Sequence, residues 1–155
     1  MLAGVAAFAA LCLGSSTEAS ARGWREPARG EFVAPASRGS DVLAEAARWL
    51  GSGNMTGTIG PWCADAVSFW LRRTGHRPLA NRLAASALGY GPHLAAPRIG
   101  ALAVMRTRRG PYGHVGLVEG VEPDGSIDLL SGNWGHRVAR SLAPRWTIVA
   151  FVEAP

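Results

Sequence analysis

The chain has 155 residues, 48% hydrophobic and 17% charged, which suits one globular domain around one core and excludes a disordered or low-complexity chain. Its net charge of +5 favours anionic partners such as nucleic acid, acidic lipid or an anionic cell-wall polymer. No segment approaches the roughly 20 apolar residues that a membrane span needs, so no stable span is expected in the mature protein.

Residues 1–21, MLAGVAAFAALCLGSSTEASA, carry an apolar run from Leu2 to Leu13 and end on the small-x-small triplet Ala19-Ser20-Ala21. This pattern reads as a secretory signal peptide, although no Lys or Arg precedes the run. An exported protein, periplasmic or extracellular, is therefore expected, and export argues against nucleic acid as the partner. Cleavage after Ala21 would remove Glu18 and no basic residue, leaving 16 basic against 10 acidic side chains and a net charge of +6. It would also remove Cys12, so Cys63 would stand alone in an oxidising compartment, where cysteines usually pair. An unpaired exported thiol calls for a chemical reason.

Residues 22–40, rich in Pro, Gly, Arg and Ala, read as a flexible lead-in to a domain over 41–155. Ser40 or Asp41 is expected to cap a first helix, with Val42, Leu43, Ala46, Trp49 and Leu50 on one stripe and Gly51 as the stop. The loop GSGNMTGTIG, residues 51–60, has no Gly-Lys-Ser/Thr and so no phosphate-loop pattern; it reads as a flexible approach to a site. A second helix is expected from Pro61 to about Thr74, with Cys63 as its third residue, near the unpaired N–H groups and the positive end of the helix dipole. A thiolate is stabilised there. Cys63 also shares a stripe with Ala66, Val67, Trp70 and Leu71, which would equally suit a buried core cysteine. A short helix around Asn81–Leu88 should follow.

After Gly100 the period changes to that of strands: ALAVMR, GHVGLVEGV, SIDLLSGN and WTIVAFV. Helices first and antiparallel strands second predict an α+β fold, with the helices on one side of a small sheet. With Glu122-Pro123-Asp124-Gly125 as the turn, Val118 pairs with Leu129 and Leu117 with Leu130. Glu119 then falls beside Asp128 and His114 opposite Asn133; a three-residue loop would turn Asn133 away. Along the His114 face lie Gly116, Val118 and Gly120, bare enough for the second helix to pack there and bring Cys63 toward His114. That geometry predicts a nucleophile, Cys63, a general base, His114, and an orienting amide, Asn133.

Other residues are candidates for substrate contact. Arg108 and Arg109, in the basic run MRTRRGPYG before His114, could attract an anionic substrate, and Trp62 and Trp134 flank the proposed catalytic residues, where they could wall a groove or pack in the core. His76, His93 and His136 lack metal-ligand spacing, so neither a metal nor another cofactor is expected.

At these residues the chain resembles a known group. PWCADAVSFWL, GHVGLVEG and SGN are similar to the nucleophile helix, histidine strand and third-residue strand of papain-like bacterial cell-wall cysteine hydrolases, the CHAP family and its NlpC relatives. The resemblance runs from about Val42 to the C-terminus. It implies a papain-like fold and hydrolysis of peptidoglycan amide bonds, either in stem peptides or between muramic acid and L-alanine, with Cys63, His114 and Asn133 as the triad. The expected partner is peptidoglycan or another anionic wall polymer, and the expected state is monomeric. A non-catalytic wall-binding domain of the same fold and an exported wall-degrading toxin are the alternatives.

Overall fold

The computed structural model describes residues 39–108 and 110–155. The signal-peptide reading, all but the end of the lead-in, and Arg109 lie outside the described residues.

Two helices precede a sheet: α1 is Ser40–Ala47 and α2 is Cys63–Arg73. Gly39 stands at the N-cap of the first helix with φ of 90°, and the Asp41 carboxylate accepts the Val42 N–H of the first turn at 2.8 Å. A Cβ on Gly39 would meet the Gly100 carbonyl oxygen 2.6 Å away, so glycine answers both the backbone conformation and the close approach. The helix also ends earlier than its stripe suggests, and Leu50 is exposed.

The junction of the two helices is built around Glu45. Its carboxylate accepts the Trp49 indole N–H at 3.0 Å and the Arg73 Nε–H, while Trp49 meets Phe69 edge-on at 4.9 Å. Arg73 in turn stacks over both rings at 5.6 Å. The hydrogen bond from Trp49, then Arg73, outweighs burial and holds the Glu45 carboxyl below its ordinary pKa.

Six strands follow: β1 His93–Leu94, β2 Leu102–Thr107, β3 Gly110–Val121, β4 Ile127–Trp134, β5 Arg137–Ala143 and β6 Ile148–Val152. Two 3-10 turns, Ala84–Gly89 and Arg145–Thr147, complete the elements; the first replaces the expected helix around Asn81–Leu88. All strand pairs are antiparallel, in the order β1-β6-β2-β3-β4-β5. The fold is α+β, as the order of the elements predicts.

Strand β5 was not expected. Its turn is Gly135-His136, both at positive φ of 61° and 65°, between the paired Trp134 and Arg137. Two successive left-handed residues make the tight hairpin that Asn-Gly more often makes, and a histidine there hides the signal. Arg137, Arg140 and Ser141 on an edge strand obscure the alternation further.

The β3–β4 register matches expectation at Leu117↔Leu130 and Val118↔Leu129, then slips at a bulge so that Gly120 faces Asp128. Glu119 is the extra residue. It therefore avoids Asp128 and pairs with Arg140 on β5, at 2.8 and 3.0 Å.

The packing side of α2 is a correction. Cys63, Ala66, Val67, Trp70 and Leu71 join one buried cluster with Val104, Val115, Leu117, Leu130 and Val138. Val118, Leu129, Ala103 and Met105 belong to a second cluster on the opposite face. By strand alternation His114 and Gly116 share the face of Val118, so α2 does not lie on the glycine-bare surface. The close approach is made at Gly132 instead, where a Cβ would collide with Ala66 Cβ and come within 2.7 Å of the Trp62 ring.

Candidate active site

Helix α2 begins two residues later than the sequence predicts. Trp62 is its N-cap and Cys63 its first residue, with Pro61 outside the helix. The sulfur consequently sits at the helix end, where the N–H groups of Cys63 and Ala64 face it, joined by the N–H of Val115 from β3. These donors favour the thiolate. Burial acts more strongly the other way, Cys63 being 5% exposed, and with a further push from Asp65 the thiol is held above its ordinary pKa.

His114 belongs to β3 and is 6% exposed. Burial pushes its pKa down to about 4, so the ring is neutral at pH 7 and able to accept a proton. Its Nε2 is buried with no hydrogen-bond partner. The indole of Trp134 meets the imidazole at a centroid distance of 5.3 Å.

Cys63 and His114 line one cavity of about 450 Å³ together with Asn133, Trp134, Arg108 and Thr107. A neighbouring cavity of about 470 Å³ is lined by Asn54, Thr58, Gly60 and Trp62, and shares Pro61, Asn133 and His136 with the first. The two form a groove across the start of α2. A further cavity of about 480 Å³, between Arg77, Tyr90 and Glu153, contains none of the residues expected to catalyse or to contact substrate.

The loop leading into the helix is tied down, contrary to the flexible approach expected of it. Asn54 Nδ2 donates to the Thr58 carbonyl at 2.7 Å, and Asn54 Oδ1 accepts from the Thr56 N–H and hydroxyl. Thr58 then donates to Asp65 in the first turn of α2 at 2.9 Å, and Arg82 secures the same carboxylate at 3.0 Å. A fixed loop here holds one wall of the groove against the end of the nucleophile helix.

Among the sequence candidates, the structure gathers Cys63, His114, Asn133, Trp134 and Arg108 at one site. Trp62 borders the second cavity but is 3% exposed and packs on Gly132, so its ring serves the core rather than a stacking surface. Asn133 reaches the groove but makes no hydrogen bond to His114. The ladder shifts between Ser131 and Trp134, and Asn133 adopts φ of 60°, which rotates it away from the position that strand alternation would assign. Two groove features went unread in the sequence: His136, hidden by its turn conformation, and the Val115 N–H, a backbone group with no side-chain signal. Among the described residues no cluster of three potential metal ligands occurs.

Comparison with known proteins adds independent findings. The family model described as "CHAP domain" matches residues 53–133, more than half of the chain. Staphylococcal secretory antigen SsaA of Staphylococcus aureus (strain NCTC 8325 / PS 47) is 48% identical over 40 residues, which make up 26% of this chain and 15% of that protein. Staphylococcal secretory antigen ssaA1 of strain COL matches equally. The crystal structure of Ly7917 has a TM-score of 0.55 at 20% identity, covering 77% of this chain and 63% of that one. Ly7917 with the hydrolyzing product of MDP gives 0.53 at 20% identity, covering 76% and 63%. The chain thus spans about one seventh of the curated relatives it matches, and the structural likeness establishes the shared fold.

Proposed function

The chain belongs to the CHAP domain family, and from that premise we propose that it is an exported cysteine hydrolase that cleaves amide bonds of peptidoglycan. The observation that carries this reading is the presence of Cys63, at the first position of a helix, and neutral His114 in the same groove. Cys63 is the nucleophile and His114 the general base. As Sγ attacks the amide carbonyl carbon, its proton passes to His114, and the tetrahedral intermediate collapses to a thioester when His114 gives that proton to the leaving amine. Water then attacks the thioester; His114 takes a proton from it and returns one to the sulfur. The backbone N–H groups around Cys63 are suited to stabilise the oxyanion.

The substrate is the wall peptide or its junction with muramic acid. Arg108 in the groove and the basic balance of the chain suit the carboxylates of such a polymer. Asn133 and Trp134 are the polar and aromatic contacts available to it. Export is supported by the leader-like residues 1–21 and by relatives named as secretory antigens. The protein acts as a monomer in this reading.

The test is to incubate purified protein with peptidoglycan, beside Cys63→Ala, and analyse the soluble fragments by mass spectrometry. Release by the wild type alone is expected, and the new termini identify the bond. Release that is absent, or unchanged in Cys63→Ala, overturns the hydrolase reading and leaves the groove as a wall-binding surface.

A further inference from the structure

Behind the proposed reacting pair lie two buried polar atoms without partners. His114 Nε2 is one; the other is Oγ of Ser131, a residue with no exposed surface at all. Ser131 follows Leu130 on β4, so the register Leu117↔Leu130 sets it across from Gly116. The spacing agrees, since a Cβ on Gly116 would lie 2.9 Å from Ser131 Cβ. His114 and Gly116 share one face of β3, so Ser131 is the diagonal neighbour of His114 on that face. Gly116 keeps the space between them free of a side chain.

Buried hydroxyl and imidazole groups are costly when unpaired, and nearly all in native proteins find a partner. The two atoms do not bond directly to one another. One water between diagonal neighbours would satisfy both. Asn133, the residue expected to hold the ring, is carried off the ladder by its left-handed backbone.

We propose that Ser131 is the positioning residue for His114: Nε2–H donates to a buried water, and that water donates to Ser131 Oγ. The consequence is a defined tautomer. With the proton fixed on Nε2, the lone pair stays on Nδ1, the form in which the ring can accept the thiol proton there. This inference rests on the reading of Cys63 and His114 as the reacting pair.

Imidazole nitrogen NMR on 15N-labelled protein tests it without requiring turnover. The wild type is expected to show His114 with Nε2 protonated, and Ser131→Ala to shift the ring toward the Nδ1–H form. Ser131→Cys, similar in size but a weak acceptor, should do the same, which separates the effect from a packing fault; Asn133→Ala should leave the tautomer unchanged. In peptidoglycan release, Ser131→Ala should lower kcat on the order of tenfold to a hundredfold with little change in KM, part of the roughly 10²–10⁴ that a general base supplies. A purely structural serine would move neither the tautomer nor kcat. Retention of the Nε2–H form in both Ser131 variants, or its loss in Asn133→Ala alone, overturns the proposal. A protein inactive on peptidoglycan but showing the expected tautomer shift would retain the Ser131 linkage and reject the hydrolase reading.

Discussion

Trp134 meets His114 ring to ring, with centroids 5.3 Å apart and planes inclined at 63°. The indole is 39% exposed while the imidazole beneath it is almost wholly buried, so Trp134 is part of what keeps water from His114. Burial is the cause of the low histidine pKa. Trp134→Ala should therefore raise it from about 4 toward the ordinary value near 6.5. An NMR titration of the His114 ring checks this, and an unchanged midpoint would show that other elements supply the burial.

The same shift predicts how stability depends on pH. His114 titrates at about 4 when folded and near 6.5 when unfolded, so between these values the unfolded chain binds more protons. Stability is fully retained above about 6.5 and is lost as pH falls toward 4, by about 3 kcal/mol at one pKa unit per 1.36 kcal/mol. Urea unfolding at pH 7 and pH 4 should show this loss in the wild type. The loss should be smaller by about that amount in His114→Leu, where no ring titrates.

Cys63 should behave as a protected thiol in the absence of substrate. Burial outweighs the three backbone donors and holds its pKa above the ordinary cysteine value. Alkylation by iodoacetamide should be slow at pH 7, with its pH midpoint above that of an exposed cysteine peptide. A midpoint below the peptide's would mean that the thiolate is already formed at rest.

Gly132 sets the height of the nucleophile helix over the sheet. A methyl group there would press into Ala66 and the Trp62 ring, forcing the start of α2 outward. Gly132→Ala should cost about 1–3 kcal/mol in urea unfolding, the usual range for overpacking. It should also reduce peptidoglycan release beyond what the stability loss explains, because Cys63 immediately follows Trp62.

The two helices depend on Glu45. Its carboxylate gathers the Trp49 indole and Arg73 at a site where the residue is only 9% exposed. Glu45→Ala would leave the half-exposed Arg73 guanidinium and the Trp49 indole N–H without their acceptor. A loss of about 1–3 kcal/mol is expected in chemical unfolding, with the CHAP-domain groove little altered, since α1 does not line it.

Much of the fold was legible because local chemistry determines it. Apolar spacing of 3–4 residues marks the two helices, Gly75 marks the end of the second, and alternation marks β2, β3, β4 and β6. The residue types of the candidate site were legible too: a thiol at a helix start and a histidine beside glycines restrict the chemistry before any coordinates are known. The unread parts depend on positive-φ residues and ladder slips, which leave weak signatures in composition. Gly135-His136 creates β5, the bulge at Glu119 sends that residue to Arg140, and Asn133 leaves the regular β4–β5 ladder with φ of 60°.

By itself, then, the amino-acid order determined the α+β class, the inward stripe of α2 and the candidacy of Cys63 and His114, because helix and strand periods and residue chemistry are local properties. Only the tertiary structure decided which sheet face receives α2, that Cys63 is the first residue of its helix, and that Asn133 takes a left-handed backbone at a slip of the β4–β5 ladder. These depend on where two backbones meet. A single extra residue in a strand, or one left-handed residue at its end, redirects a side chain by a whole face, and nothing in the spacing of the residues records it.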